Sequence, residues 1–209
     1  MFSNMLKIYL ARHGQDKDNV NGILNGHRDE LLTALGQEQA RELGEKIQGV
    51  GIQFDKIYSS PLKRTFQTAE ILADILSLNK PEILEDLIER NFGIMTGKLI
   101  GEIESMCSPD IIKTKTITYF LSPDGAETFP QLMERGRKIL DKITNQHQAG
   151  NILLVTSGDI GKMIYAVYYG LNWKDVLTMF HFGNSDLLLL SKDSDPGEAH
   201  VFMGKQYNN

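Results

Sequence analysis

The strongest constraint on this chain is an alternation. Short apolar runs of strand length give way, again and again, to longer stretches whose apolar residues recur at helical spacing. Leu6 to Ala11, Phe54 to Tyr58 and Asn151 to Thr156 are the clearest strand-length runs. Between them, Thr33 can cap a helix in which Leu35, Ala40, Leu43 and Ile47 share a face until Gly49 and Gly51. Ser59-Ser60-Pro61 reads as an N-cap followed by a proline in the first turn, opening a helix to about Leu76. Glu127 to His147 carries a long helical pattern, and Gly158 starts another helix over Ile160 to Tyr169. Leu187 to Leu190 and Ala199 to Met203 read as two final strands joined by an acidic turn at Asp193 to Gly197. Strands separated by helices predict an α/β three-layer sandwich, with a mostly parallel central sheet and helices on both faces.

The segments between are less regular. A polar stretch rich in Gly and Asn runs to Asp29, too irregular for a helix; Asn79 to Thr96 reads as loop with a brief extended piece. A short helix is expected around Ile100 to Met106, then a stretch that reads as mobile to Pro123. Without an internal repeat, low-complexity tract or linker, 209 residues are expected to form a single domain over 1–209. The net charge of −5 argues against broad attraction to nucleic acid or an anionic membrane, so an anionic substrate would need a local cluster of cations. The single cysteine, Cys107, excludes an internal disulfide framework and a cysteine-rich zinc site, and reads as a semi-buried apolar residue. No apolar run approaches the roughly 20 residues that span a bilayer. No basic stretch with a long apolar core opens the chain, so no signal peptide is expected and the cytoplasm is the expected compartment. Met5 offers an alternative start, with Met1 to Asn4 as an extension.

In a parallel α/β sheet, ligands bind beyond the C-terminal ends of the strands. That rule selects Arg12-His13, Ser59-Ser60 and Ser157-Gly158. A histidine attacks phosphorus only as neutral imidazole, with one ring nitrogen pinned as a donor so that the other presents its lone pair. Beside it, Arg12 could grip phosphate oxygens with a bidentate fork, and Gly14 lets the backbone turn tightly. Arg64 could aim a second guanidinium at the same anion from a helix N-terminus. Ser157 and Gly158 suit anion binding by backbone N–H groups. Each has a plainer reading: a structural histidine at a turn, a solvated Lys63-Arg64 pair, a helix cap by Ser157.

Taken together, these pieces resemble the histidine phosphatase (phosphoglycerate-mutase-like) superfamily over nearly the whole chain. Leu10-Ala11-Arg12-His13-Gly14, with Asn19 following, resembles the family's opening signature. Asn25-Gly26-His27 leads into Leu32-Thr33-x-x-Gly36 and Gln39-Ala40, and Tyr58-Ser59-Ser60-Pro61-Leu62-x-Arg64-Thr65-x-Gln67-Thr68-Ala69 is similar to the second signature. Leu87-x-Glu89-x-x-x-Gly93-x-x-x-Gly97 resembles the segment that carries the family's general acid, and Pro123-x-Gly125-x-Glu127-Thr128 a further loop. The resemblance implies that His13 is the phosphoryl acceptor and that Arg12 and Arg64 clamp the phosphate. It implies too that Glu89 protonates the leaving alkoxide and then activates water, which requires a raised pKa. Asn19, Gly26, Ser60 and Gly158 would lie around the phosphate or substrate, and no metal or other cofactor is implied.

The pattern breaks at Ser157, where the family carries a second histidine that donates to the phosphoryl oxygens. Serine is neutral and shorter; losing one such donor costs about 2.7–4 kcal/mol, roughly a hundred- to thousand-fold in rate. Three readings compete: an engineered inactivating substitution, a natural weak enzyme, and a catalytically silent phosphate-binding regulatory protein. The otherwise intact motifs favour the first two. Of the remaining histidines, His27 and His181 could approach the rim of the pocket, whereas His147 and His200 offer less. Gln15-Asp16 is a second departure, with Asp16 either beside the phosphate pocket or turned to solvent. The expected activity is that of a phosphatase acting on a small phosphorylated metabolite, as a monomer or homodimer. The alternative is a cofactor-dependent phosphoglycerate mutase, suggested by Glu89-Arg90-Asn91-Phe92-Gly93, where Arg90 could bind a second anionic group or lie at the surface.

Overall fold

The reason the apolar runs lack alternation is visible in a computed structural model, which describes residues 5–198, 200–204 and 206. The first strand, β1 (Leu6–Arg12), is covered on both sides. Ile8 and Leu10 pack with Phe129, Leu132 and Ile160 on one side, Tyr9 and Ala11 with Leu43, Ile47 and Leu72 on the other. From β1 the chain passes through one helical turn, α1 (Lys17–Val20), to α2 (Ala34–Gly49), β2 (Lys56–Ser59), α3 (Lys63–Ile75) and a two-residue β3 (Glu82–Ile83). After α4 (Ile103–Cys107) and a hairpin of β4 (Ile111–Lys113) and β5 (Thr118–Phe120) come α5 (Phe129–Gln146), β6 (Gly150–Thr156) and α6 (Gly158–Tyr169). The chain continues through α7 (Trp173–Met179), β7 (Leu187–Leu190) and β8 (His200–Phe202). Met1 to Asn4 and Ala199, which entered the expectations for the start and the last strand, lie outside the described residues.

The central sheet has six strands in the order β3-β2-β6-β1-β7-β8. The pairs β2–β3, β2–β6 and β1–β6 are parallel, whereas β7 is antiparallel to both β1 and β8. α2 and α3 cover one face, α5 and α6 the other, giving the layered α/β arrangement expected from the sequence. The order matters more than the layers. It sets β2, β6 and β1 side by side, with Ser59 opposite Val155 and Thr156 opposite Arg12, so three strands remote in sequence end together.

Several local expectations need correction. α3 starts at Lys63, two residues after Pro61, because Leu62 stays extended and its N–H is taken by Ser60 Oγ at 3.3 Å. Arg64 therefore sits in the first turn. Asp16 accepts from Asn19 N at 2.7 Å and so nucleates α1 inside a stretch that reads as irregular. The segment before Pro123 is a β-hairpin, and α7, capped by Asn172, has no counterpart in the sequence reading.

The loop leaving β1 is seated by the residues of the Leu32–Gln39 motif. Thr33 caps α2 through Gly36 N (3.0 Å), its own N–H donates to Gln15 O (3.0 Å), and Gln39 Oε1 accepts from Gln15 N (2.8 Å). The contact is so close that a Cβ on Gly36 would fall 2.0 Å from Gln15 O, and one on Gly14 would fall 2.1 Å from Gly36 O. Gly36→Ala is expected to force these loops apart and to destabilise by about 1–3 kcal/mol, as overpacked sites do. A urea denaturation series checks this; an unchanged midpoint would show that the loop yields without strain.

Candidate active site

At the end of β1, the backbone N–H of His13 donates to Thr156 O (3.0 Å). Its carbonyl accepts from Asn184 Nδ2 (3.0 Å) and Ser185 N (3.3 Å). The peptide is thus pinned from both sides. The ring is 2% exposed, and its Nδ1 lies 2.7 Å from Gly14 O. A carbonyl can only accept, so Nδ1 carries the proton and Nε2 presents a bare lone pair. Burial, then the charges of Arg64 and Arg12, hold the imidazole pKa well below its ordinary 6.5, so the ring is neutral at physiological pH.

Two guanidinium groups share this pocket. Arg12 donates Nη1 to Phe182 O at 2.7 Å. Arg64 is wholly buried and donates Nη1 to Arg28 O (2.7 Å) and Nη2 to Gly26 O (2.8 Å). Its Nε is 3.4 Å from Asp16 Oδ2. Asp16 is also fully buried, which removes the option that it turns to solvent. Its oxygens accept from Asn19 N and Asn25 Nδ2, each at 2.7 Å. Burial raises its pKa, and Arg64 opposes that rise. Gly26, at φ +49°, packs so tightly on Phe92 that a Cβ would meet the ring at 3.0 Å. It contributes by holding Arg64 through its carbonyl.

Glu89, 5% exposed, reaches the same place from the loop after β3. Its Oε1 accepts from Arg90 N (2.8 Å) and Ile160 N (3.2 Å), and Oε2 from Asp159 N (3.3 Å). The carboxyl group thereby caps α6. Ser157, the N-cap residue by position, makes no side-chain cap, so its plainer reading as a helix cap is overturned. A Cβ on Gly158 would lie 3.8 Å from Arg12 Cζ and equally far from Glu89 Oε2, which locates the arginine, the carboxyl group and this turn around one space. Burial, followed by the charge of Asp159, raises the Glu89 pKa against the pull of the capping N–H groups and Arg64.

Buried polar side-chain atoms rarely lack a hydrogen-bond partner. Among the described residues, those that do are Arg12 Nε, Arg64 Nε, Ser157 Oγ, His181 Nδ1 and Ser185 Oγ. The first three come from the three strand ends selected from sequence. Arg64 Nε still has the Asp16 carboxylate 3.4 Å away, whereas Arg12 Nε and Ser157 Oγ make no hydrogen bond, and an oxyanion beside the neutral imidazole could accept from them.

Other expected site residues are placed differently. Arg90 is 1% exposed, its Nε donates to Asp159 Oδ2 at 2.8 Å, and its guanidinium lies 4.3 and 4.4 Å from the rings of Phe120 and Phe129. It is neither a surface group nor free for a second anion, because its charge is spent on the ion pair and the aromatic faces. Ser60 is wholly buried in the turn before α3. Asn19 Oδ1 accepts from Asn184 Nδ2 at 3.1 Å, at the edge of the His13 peptide. His27 donates Nε2–H to Glu89 O (2.7 Å), bracing the acid loop, while His147 pairs with Tyr58 OH, away from the pocket. Cys107 is buried against the Phe92, Met95 and Phe120 cluster.

Sequence reasoning missed Asn184, Ser185 and Arg135. Arg135 Nη1 donates to Ile88 O (2.5 Å), Nη2 to Glu89 O (3.3 Å), and both Nε and Nη2 grip the Glu127 carboxylate, tying the acid loop to α5. No local spacing links residues so far apart. Asp16→Ala would leave the Arg64 charge buried without its carboxylate. The expected loss is about 3–5 kcal/mol of stability, read as a fall in the denaturation midpoint; a variant as stable as the parent would show that the pair contributes nothing.

The family description "histidine phosphatase superfamily (branch 1)" matches residues 8–201. A broad-specificity phosphatase of Saccharomyces cerevisiae is 40% identical over 104 residues, 49% of this chain and 45% of the yeast protein, so the match spans less than half of that relative. Phosphoglycerate mutase-like protein 4 of Arabidopsis thaliana is 32% identical over 163 residues, covering 76% of this chain and 69% of the plant protein. A phosphoserine phosphatase of Entamoeba histolytica, solved with 3-phosphoglyceric acid, superposes with a TM-score of 0.72 at 25% identity, over 88% of this chain and 90% of that one. No described helix is long and apolar enough to cross a membrane.

Proposed function

The chain belongs to branch 1 of the histidine phosphatase superfamily, and we propose that it hydrolyses phosphomonoesters of small metabolites through a phosphohistidine at His13. The observation that carries the proposal is the gathering of two buried guanidinium groups, Arg12 with its Nε unpartnered and Arg64, at the strand ends beside a histidine whose Nδ1 is occupied.

In this reading the bare Nε2 of His13 attacks phosphorus in line with the ester oxygen. The N–P bond forms as the P–O bond to the alcohol breaks. Arg12 and Arg64 meet the charge on the equatorial oxygens. The departing alkoxide takes a proton from Glu89, whose Oε2 has only the long contact to Asp159 N and faces Gly158 and Arg12. Burial favours the protonated acid that this step needs. The resulting carboxylate then takes a proton from water as the water attacks the phosphohistidine. Orthophosphate leaves, and both His13 and Glu89 return to their starting protonation states. Ser157 cannot extend to the phosphoryl oxygens as an imidazole would, so the rate is expected to be lower by roughly a hundred- to thousand-fold.

The named relatives suggest a small phosphorylated alcohol or acid as substrate. A second reading, cofactor-dependent mutase, draws on the acid-loop sequence and on the mutase-like plant relative. It is disfavoured by the commitment of Arg90 to Asp159, which leaves that guanidinium unavailable to a second anionic group. Stimulation of 3-phosphoglycerate isomerisation by 2,3-bisphosphoglycerate, without net phosphate release, would establish the mutase instead.

The shifts on the two groups set the sign of the pH dependence. His13 must be neutral and Glu89 protonated for ester cleavage, with the first pKa depressed and the second raised. Turnover of an alkyl ester such as glycerol phosphate should therefore persist well below pH 6.5 and fall on the alkaline side as Glu89 ionises. Glu89→Gln should flatten the alkaline limb and, for esters of poor leaving groups, lower kcat by about 10²–10⁴-fold. A Glu89→Gln profile that keeps the parent's alkaline limb would remove Glu89 from the acid role.

A further inference from the structure

Two of the unfilled buried atoms, His181 Nδ1 and Ser185 Oγ, have no part in the mechanism above. Both lie on the segment between α7 and β7, which no motif singled out. Three contacts fix where that segment runs. Phe182 O accepts Arg12 Nη1 at 2.7 Å. The Phe182 ring lies against the first turn of α6, so close that a Cβ on Gly161 would be 2.4 Å from it. Asn184 Nδ2 and Ser185 N hold the carbonyl of His13. His181 thus immediately precedes the residue that meets both Arg12 and the first turn of α6, close enough for the charge of Arg12 to act on its ring.

We propose that His181 donates to the phosphoryl group at this site, supplying from the β7 side the imidazole contact that Ser157 does not make. The inference rests on the phosphate-binding reading of the pocket given above. His181 is half-buried, so its ring is partly open to an incoming anion while Nδ1 is shielded from water. Nδ1 has no partner within the protein, and in the tautomer that protonates it a bound oxyanion would supply one. The nearby carboxylate is committed elsewhere: Asp186 accepts from Gly183 N and Gly204 N, each at 2.6 Å, and lies 3.7 Å from His200 Nε2. His200 Nε2 in turn lies 3.2 Å from the backbone carbonyl of His181. Burial and the charge of Arg12 lower the pKa of His181 to about 4, with Lys162 and His200 acting the same way and Asp186 against. The ring is then a neutral donor, and a tightly bound phosphate need not compete with a charged partner for it.

The test compares His181→Ala, Ser157→His and the double variant on the full chain. The measurements are the Kd for orthophosphate by calorimetry, kcat and KM with p-nitrophenyl phosphate, and the thermal midpoint. His181→Ala should weaken orthophosphate binding and lower kcat/KM by roughly ten- to a hundredfold, the span for one hydrogen bond to a charged group. Adding Ser157→His should restore most of both. A merely structural histidine would lower the midpoint, and an imidazole at 157 would not rescue it. Parental Kd and kcat/KM in His181→Ala, or a double variant no better than the single one, overturns the proposal. Should His181→Ala fail to fold, His181→Phe keeps the ring volume and carries the same comparison. If the parent binds orthophosphate but releases none from any ester, the phosphatase reading falls and the Kd comparison alone decides the role of His181.

Discussion

Two guanidinium groups held against a buried imidazole are the constraint on which this structure depends. Like charges in a poorly solvated space repel, and each needs a nearby anion or dense hydrogen bonding to stay. Arg64 meets that need in part through Asp16 and the carbonyls of Gly26 and Arg28, and Arg12 through Phe182 O. Arg12 Nε is left without a hydrogen-bond partner, and Arg64 Nε has only the 3.4 Å approach to Asp16 Oδ2. Burial first, and then the same pair of charges, keeps His13 neutral. In the proposed reaction, one buried arrangement would therefore both attract a phosphate and leave the nucleophile unprotonated.

Much of the scaffold around these groups serves to keep them from relaxing. Gly14 and Gly36 remove the side chains that would separate the nucleophile loop from α2, and Thr33 and Gln39 hold the Gln15 peptide. The acid loop is treated in the same way. Gly93, at φ +54°, sits where a Cβ would meet Asp124 O at 2.2 Å, and Arg135 binds the carbonyls behind Glu89. The motifs that read as family markers along the chain are, in three dimensions, close backbone approaches and caps that aim a few side chains.

The readable part of this molecule is the part set by local pattern. Doubly buried strands such as β1 and β6 show as short, largely apolar runs, Thr33 shows as a cap, and the strand-end rule brings out Arg12, His13, Arg64, Ser157 and Gly158 before any contact is known. What local pattern cannot show is which remote groups meet. Arg90 looks like an anion binder until Asp159 and three phenylalanine rings enclose it. Ser157 looks like a cap until Glu89, far away in sequence, takes the N–H groups of α6. Asp16 could lie beside the pocket or turn to solvent until Asn25 and Arg64 are seen to converge on it. The segment from His181 to Ser185 carries no motif, and its importance comes wholly from tertiary contacts.

Turnover through a phosphohistidine requires that phosphorus become bonded to one particular nitrogen. Rapid quenching during turnover of a phosphomonoester, under alkaline conditions that preserve phosphoramidates, followed by peptide mass spectrometry, reads this directly. A phosphoryl group on the His13 peptide, absent from His13→Ala, is the expected result. Ester turnover with the label on another side chain, or undiminished turnover by His13→Ala, would contradict the account.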